Sequence, residues 1–363
     1  MTETKAPVRP AATSESALRF RPDVEGLRAV AVILVVLFHA GVPGVGGGYL
    51  GVDVFLVISG FLITSQLLAE LDLTGRLSLL RFAARRARRI LPVASLVLVS
   101  VVLVLRRGDE IAEDGRWAAL FAADFRFAGQ GDLLAAPSPL QHFWALAVEA
   151  QFFLIWPAAV ILLVWLGFRW ALGWFLAVAV AASFACSVWQ DGTTWSYFSP
   201  ATRAWELGVG CLLALAAGQL HRIPDRLATM MAGGGLALIV VSALTFDTFG
   251  GYAVALPVLG ALLVLAGRGG ALLGWAPLQY LGRLAYTLSL WHWPVFVIAE
   301  QAYGGPLPPG PRAALVLISL ALATVTYVCV EEPIRRSGRL ERSRLLTVSV
   351  SILLIAAPLA VTQ

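Results

Sequence analysis

Arg28 and His39 are residues of catalytic type placed in the first long apolar run of the chain. Eleven residues apart, at 100° per residue, their side chains share one face of a helix and stand roughly 16 Å apart along its axis. Ionisable groups inside an apolar span are costly and read as functional by default. A cation at the cytoplasmic mouth and an imidazole inside the bilayer, toward its outer half, suit a long ligand with an anionic head. Coenzyme A has that shape, with phosphates at one end and a thioester at the other. A neutral imidazole beside the thioester can take the proton of a hydroxyl as general base. The plainer alternative is a topology-setting arginine and a histidine satisfied by a backbone carbonyl.

Other charged groups fall into the same frame. Arg81, Arg85 and Arg88 are spaced i, i+4, i+7 and give one cationic face on a cytoplasmic helix, with Arg86 and Arg89 beside them. Such a face can hold phosphates bidentately, set topology or touch anionic lipid. Glu149 lies seven residues after His142 on one face of a span, where a carboxylate could orient His39, hold an acceptor hydroxyl or form a structural ion pair. Arg203 and Glu206 are i, i+3 neighbours, read as a structural pair with sugar contact as the second reading. His292 sits between Trp291 and Trp293 ahead of Pro294, an interfacial-looking cluster. Glu331 caps a helix end before Pro333 or pairs with Arg28 or the loop arginines. His221, beside Arg222 in a loop, has no evident task.

The elements that must position these groups follow from composition. Of 363 residues, 59% are hydrophobic and 13% charged, about half the charge of a soluble domain, and the mean hydropathy is +0.80. A cytosolic enzyme, a secreted glycan-binding module and a disordered regulator are excluded. The fold class is an all-α polytopic membrane protein. Cys186, Cys211 and Cys329 lie far apart in apolar stretches, without disulfide or metal-ligand spacing. The net charge of +5 comes from loop arginines and calls for no nucleic acid. The polar N-terminus contains no signal-peptide core.

Apolar runs that can span a bilayer fall at about 27–43, 50–70, 90–105, 141–166, 171–189, 201–219, 227–245, 253–267, 285–303, 312–330 and 345–361. The amphipathic stretch 116–128 reads as lying along the outer surface. With the N-terminus inside, only Arg106, Arg107, Arg116, Arg126, Arg203 and Arg312 of the 27 basic residues face out, which sets the topology by the positive-inside rule. An odd number of spans puts the C-terminus outside, so an extracytoplasmic domain is expected beyond Gln363. GGGYLG at 46–51 mimics a dinucleotide fingerprint but follows a membrane span rather than a strand. Ser59 has no Gly-x-Ser-x-Gly elbow around it.

FRPDVEGLRAVAVILVVLFHAG resembles the opening of the acyltransferase-3 family of integral-membrane O-acyltransferases, whose hallmark is Arg, ten residues, then His. GGYLGVDVFLVISGFLIT, FAARRARRILP, HFWALAVEAQFFLIWP, SPATRAWELGVGCLLAL, LGRLAYTLSLWHWPVF and VEEPIRR resemble later blocks of that family, in order, over about residues 20–336. Ala150 stands where the family has a second Glu and Phe153 where it often has Tyr. Ala145 and Ala147 replace common serines, and Ala285 and Ser289 replace a common Ser and Tyr. The resemblance implies a ten-helix core at 23–336, after a cytoplasmic tail at 1–22. A basic linker at 337–344 and an eleventh helix at 345–363 follow, with an SGNH-type esterase-like domain after that helix in fused relatives.

The function expected is transfer of an acyl group, acetyl first, from cytoplasmic acyl-CoA to a hydroxyl of a cell-envelope carbohydrate or glycolipid in a bacterial cytoplasmic membrane. Arg28 and Arg81, Arg85, Arg86, Arg88 and Arg89 would bind the donor. His39 would act as base with Glu149, and Tyr286 or Ser59 as relay. Asp53, His142, Arg203, Glu206, His292 and Glu331 are candidate acceptor contacts. No metal is expected. The second reading is a transporter or flippase for a glycan or acyl carrier, which release of free CoA would discriminate.

Overall fold

Pro22 in the first helical turn, followed by Asp23 and Glu25 at its positive end, starts α1 (Pro22–His39), as the helix dipole and proline's fixed φ favour. Gly41 and Gly44, both at positive φ, end it, so His39 is the last helical residue instead of lying inside a run to 43. The computed structural model describes residues 21–105, 109–130, 137–247, 250 and 252–362. Lys5, Arg106 and Arg107 lie outside the described residues.

The chain continues through α2 (Gly51–Thr74), α3 (Leu79–Val104), α4 (Asp109–Ala119), α5 (Ala123–Gly129), α6 (Phe143–Trp165) and α7 (Leu172–Trp189). After a short helix at Thr194–Phe198 come α8 (Pro200–Leu215), α9 (Asp225–Thr245), α10 (Ala255–Ala266), α11 (Ala276–Tyr303), α12 (Pro309–Thr326) and α13 (Arg344–Val361). Among the described residues there is no strand. Each apolar run read from the sequence overlaps one of these helices. Among the described residues six helical stretches are long and apolar enough by themselves to cross a membrane: Gly48–Thr74, Leu79–Val104, Phe143–Trp165, Arg169–Trp189, Asp225–Thr245 and Pro309–Arg342. Trp165, Trp170, Trp174 and Trp189 stand at helix ends and are 73–84% exposed, as aromatic side chains at a membrane interface are.

Two expectations shift. The arginine-rich segment is not a separate loop helix but the first turns of α3, continuous with the span. The amphipathic stretch 116–128 is broken at Phe121, whose φ of 54° turns the chain between α4 and α5. Gln151 Nε2 of α6 donates to Asp124 Oδ1 of α5 at 3.0 Å, and burial pushes the Asp124 carboxyl up to about 6.

Without an aqueous driving force between helices, close backbone approach at small residues sets the packing. Gly60 of α2 lies against the Leu207 carbonyl of α8, and Gly210 of α8 against the Val57 carbonyl of α2. Gly282 of α11 lies against the Glu25 carbonyl of α1. Farther along the same two helices His292 meets His39, so α1 and α11 run parallel. The interior between them is filled by Val32, Val36, Ala285, Leu288 and, from α12, Ala323. α13 docks on α3 and α4, where Ser95 donates to the Leu354 carbonyl and Arg116 Nη1 to the Thr362 carbonyl at 3.1 Å.

A Cβ at Gly60 would meet a backbone oxygen that cannot step aside. Gly60→Val is therefore expected to lower stability by about 1–3 kcal/mol through overpacking. Gly234→Ala on α9, which opens onto free space, should be neutral or better. Thermal unfolding in detergent checks both, and an unchanged midpoint for Gly60→Val would contradict the packing.

Candidate active site

α1, α2, α3, α6 and α11 wall a cavity of about 190 Å³. Arg28 of α1 and Arg86 and Arg89 of α3 line one end. Ser59 of α2, Glu149 of α6 and Tyr286 of α11 line its length, and His39, His142, His292 and Trp293 the other end. Parallel α1 and α11 make this order inevitable: Tyr286 precedes His292 by under two turns, as Arg28 precedes His39 by three.

The three guanidiniums at the arginine end are held differently. Arg28 pairs with Glu25 at 3.1 Å. Arg86 Nη2 donates to Gln66 Oε1 at 2.9 Å, and its guanidinium lies over the rings of Phe82 and Phe153 at 5.5 and 5.2 Å. Half-buried Arg89 donates to no acceptor among the described residues. The face expected from i, i+4, i+7 spacing points elsewhere. Arg81 is exposed, Arg85 pairs with Glu70 of α2 at 2.6 Å, and Arg88 Nη1 donates to the Leu340 carbonyl at 3.1 Å. None of the three lines the cavity. The register of α3 against α2 turns 86 and 89 inward instead.

Midway, Ser59 Oγ donates to Glu149 Oε1 at 2.5 Å, so that carboxylate is engaged by a serine and not by His39. The Tyr286 hydroxyl donates to the Ile90 carbonyl at 2.7 Å. At the histidine end His39 Nδ1 lies 3.1 Å from His292 Nε2, and the His39 ring meets Trp293 edge-on, with centroids 4.5 Å apart. Trp293 is itself fixed by donating to the Ser138 carbonyl at 2.8 Å. The His142 ring is buried among the cavity-lining residues, beside the backbone of Pro139 and Leu290.

Asp53, Arg203 and Glu206 form a separate cluster. Arg203 Nη1 donates to Asp53 Oδ1 at 2.5 Å and to Glu206 Oε1 at 2.8 Å, and Nε donates to the Tyr197 carbonyl at 2.8 Å. All three side chains are at most 2% exposed. They lie behind the cavity wall, where Arg203 sits under Trp144 and Tyr197 at 5.2 and 5.1 Å. The i, i+3 pair read from the sequence is present, with Asp53 as a third member. It braces the wall and lies outside the cavity lining. Glu331, in the π-helical turn Tyr327–Glu331, accepts from Thr287 Oγ1 at 2.5 Å and lines no part of the cavity. Among the described residues no group of three or more His, Cys, Asp or Glu could hold a metal ion.

Tyr49, Trp144 and Tyr197 complete the wall and were not among the expected site residues. Tyr49 belongs to a short turn and Tyr197 to a five-residue helix, segments too short for any periodicity to mark a face.

The family described as an acyltransferase domain matches residues 21–330. The putative peptidoglycan O-acetyltransferase YrhL of Bacillus subtilis is 33% identical over 357 residues, covering 88% of this chain and 56% of that protein. The peptidoglycan O-acetyltransferase OatA of Listeria monocytogenes is 30% identical, covering 90% of this chain and 57% of that protein. The O-acetyltransferase OatA of Staphylococcus aureus is also 30% identical, with 88% and 58% covered. The chain thus spans under three-fifths of the length of these relatives. No solved structure matches it.

Proposed function

The chain belongs to this acyltransferase-domain family, and from that premise we propose that it is a membrane O-acyltransferase acting on a cell-envelope carbohydrate. The donor proposed is acyl-CoA, acetyl-CoA first, entering at the cytoplasmic face. The observation that carries the reading is one cavity with three arginines at one end and three histidines at the other. Its length along α1, about 16 Å, suits a pantetheine arm laid between phosphates and thioester. The relatives' names support acetyl as the group and peptidoglycan as the acceptor class.

The phosphates bind Arg28, Arg86 and Arg89, which can each give charge-assisted hydrogen bonds. Ser59 and Glu149 face the arm midway and meet its amides. Because the Tyr286 hydroxyl is engaged by the Ile90 carbonyl, we read it as wall and the transfer as direct. The acceptor hydroxyl lies between His142 and His39. Its oxygen attacks the thioester carbonyl while His39 takes its proton. The tetrahedral centre then expels the thiolate, which receives that proton from His39. The products are an O-acyl ester and free CoA. The excess of basic residues on the loops at the arginine end supports a cytoplasmic location for it, with the N-terminus inside and the C-terminus outside.

The test is free-CoA release from acetyl-CoA by the protein in lipid, with and without cell-wall glycan fragments. Acceptor-dependent release is expected. Movement of glycan across the bilayer with no CoA released would replace this reading with a transporter. Arg86→Gln and Arg89→Gln should each raise KM for acetyl-CoA about tenfold and leave kcat near the wild-type value. Arg81→Gln, outside the cavity, should change neither.

A further inference from the structure

A catalytic base must present a lone pair, and a neutral imidazole has one on only one of its two nitrogens. Which nitrogen that is in His39 follows from a chain of three groups. His292 Nδ1 lies 3.1 Å from the Leu288 carbonyl, one turn back on α11. A carbonyl only accepts, so Nδ1 of His292 carries the proton and its Nε2 is bare. That bare Nε2 lies 3.1 Å from His39 Nδ1, which must therefore carry the proton and donate. The remaining nitrogen, His39 Nε2, is left with its lone pair and no hydrogen-bond partner among the described residues. It belongs to a side chain that lines the cavity.

We propose that His292 is a positioning residue: it reads the Leu288 carbonyl and fixes His39 in the tautomer that offers a bare Nε2 to the acceptor hydroxyl. The Trp293 edge holds the same ring at 4.5 Å, so orientation and tautomer are set by adjacent residues of α11. His292 is itself 2% exposed, and the α1–α11 contact at Gly282 fixes its height beside His39. In the opposite tautomer His39 would turn an N–H toward the hydroxyl and could not accept its proton. The role in transfer rests on the reading of His39 as base, but the tautomer itself does not.

The test uses nitrogen-15 magnetic resonance of imidazole-labelled protein in lipid, where only four histidines contribute, with kinetics on the same preparations. Wild type should show His39 protonated at Nδ1 and bare at Nε2. His292→Gln places an amide oxygen near the lost Nε2 and should keep that tautomer and most of the activity. His292→Leu should release His39 into the Nε2–H form and lower kcat about 10–100-fold, the scale known for partners that orient metal-ligating histidines, with KM for acetyl-CoA unchanged. A bare Nδ1 on His39 in wild type would overturn the proposal. So would a Gln variant no better than Leu, or a His292→Leu protein that still holds the Nδ1–H tautomer. If wild type releases no CoA at all, the transferase reading fails, while the resonance result still decides the tautomer.

Discussion

His39→Ala is expected to lower kcat for acyl transfer by about 10²–10⁴-fold, the range a positioned general base contributes, while KM for acetyl-CoA stays within about twofold. The split follows from the geometry. His39 terminates α1 and lies three turns from Arg28, so its loss leaves the phosphate-binding end intact. The fold should be preserved as well, because the ring lines the cavity, where it meets the rings of Trp293, His292 and Phe38. Steady-state kinetics on the purified variant in lipid measure both constants. A tenfold rise in KM with unchanged kcat would place His39 in binding and remove it from the chemistry.

The second large effect is on stability. Arg203→Leu should lower it by about 3–5 kcal/mol, the cost of breaking a buried ion pair by removing one partner. Here the loss strands two carboxylates, Asp53 and Glu206, both about 1% exposed or less. It also removes the cation under Trp144 and Tyr197, which form the cavity wall. Asp53→Asn should cost less, since an amide oxygen still accepts from Arg203 and Glu206 still balances its charge. Thermal unfolding monitored by tryptophan fluorescence gives the order: wild type, then Asp53→Asn, then Arg203→Leu. An Arg203→Leu midpoint equal to wild type would show that the cluster does not brace the wall.

Much of this was legible in the sequence, and the parts that were not share a cause. Apolar length marks a helix locally, so every apolar run overlaps a helix. Hydrophobicity alone carried the first run on to 43, whereas Gly41 and Gly44 at positive φ end α1 at His39. The Arg–His spacing was legible because both residues lie on one helix. Pairings across the chain leave no local trace. His39 and His292 are 253 residues apart, Asp53 and Arg203 are 150 apart, and Ser59 and Glu149 are 90 apart. Helix rotation is equally hidden. Arg81, Arg85 and Arg88 form a good face by spacing, yet Glu70 on α2 and the Leu340 carbonyl draw two of them away and Arg86 and Arg89 face the cavity. Family resemblance named the polar groups that matter without saying which of them touch.

The proposed path through the cavity runs from a donor at the arginine end to an acceptor at the histidine end, across the membrane. Sealed vesicles containing the protein test it most directly, with acetyl-CoA supplied outside and cell-wall glycan fragments trapped inside. O-acetylated glycan in the lumen and free CoA outside are expected, both lost in His39→Ala. Acetylation only of glycan placed on the same side as acetyl-CoA would contradict it.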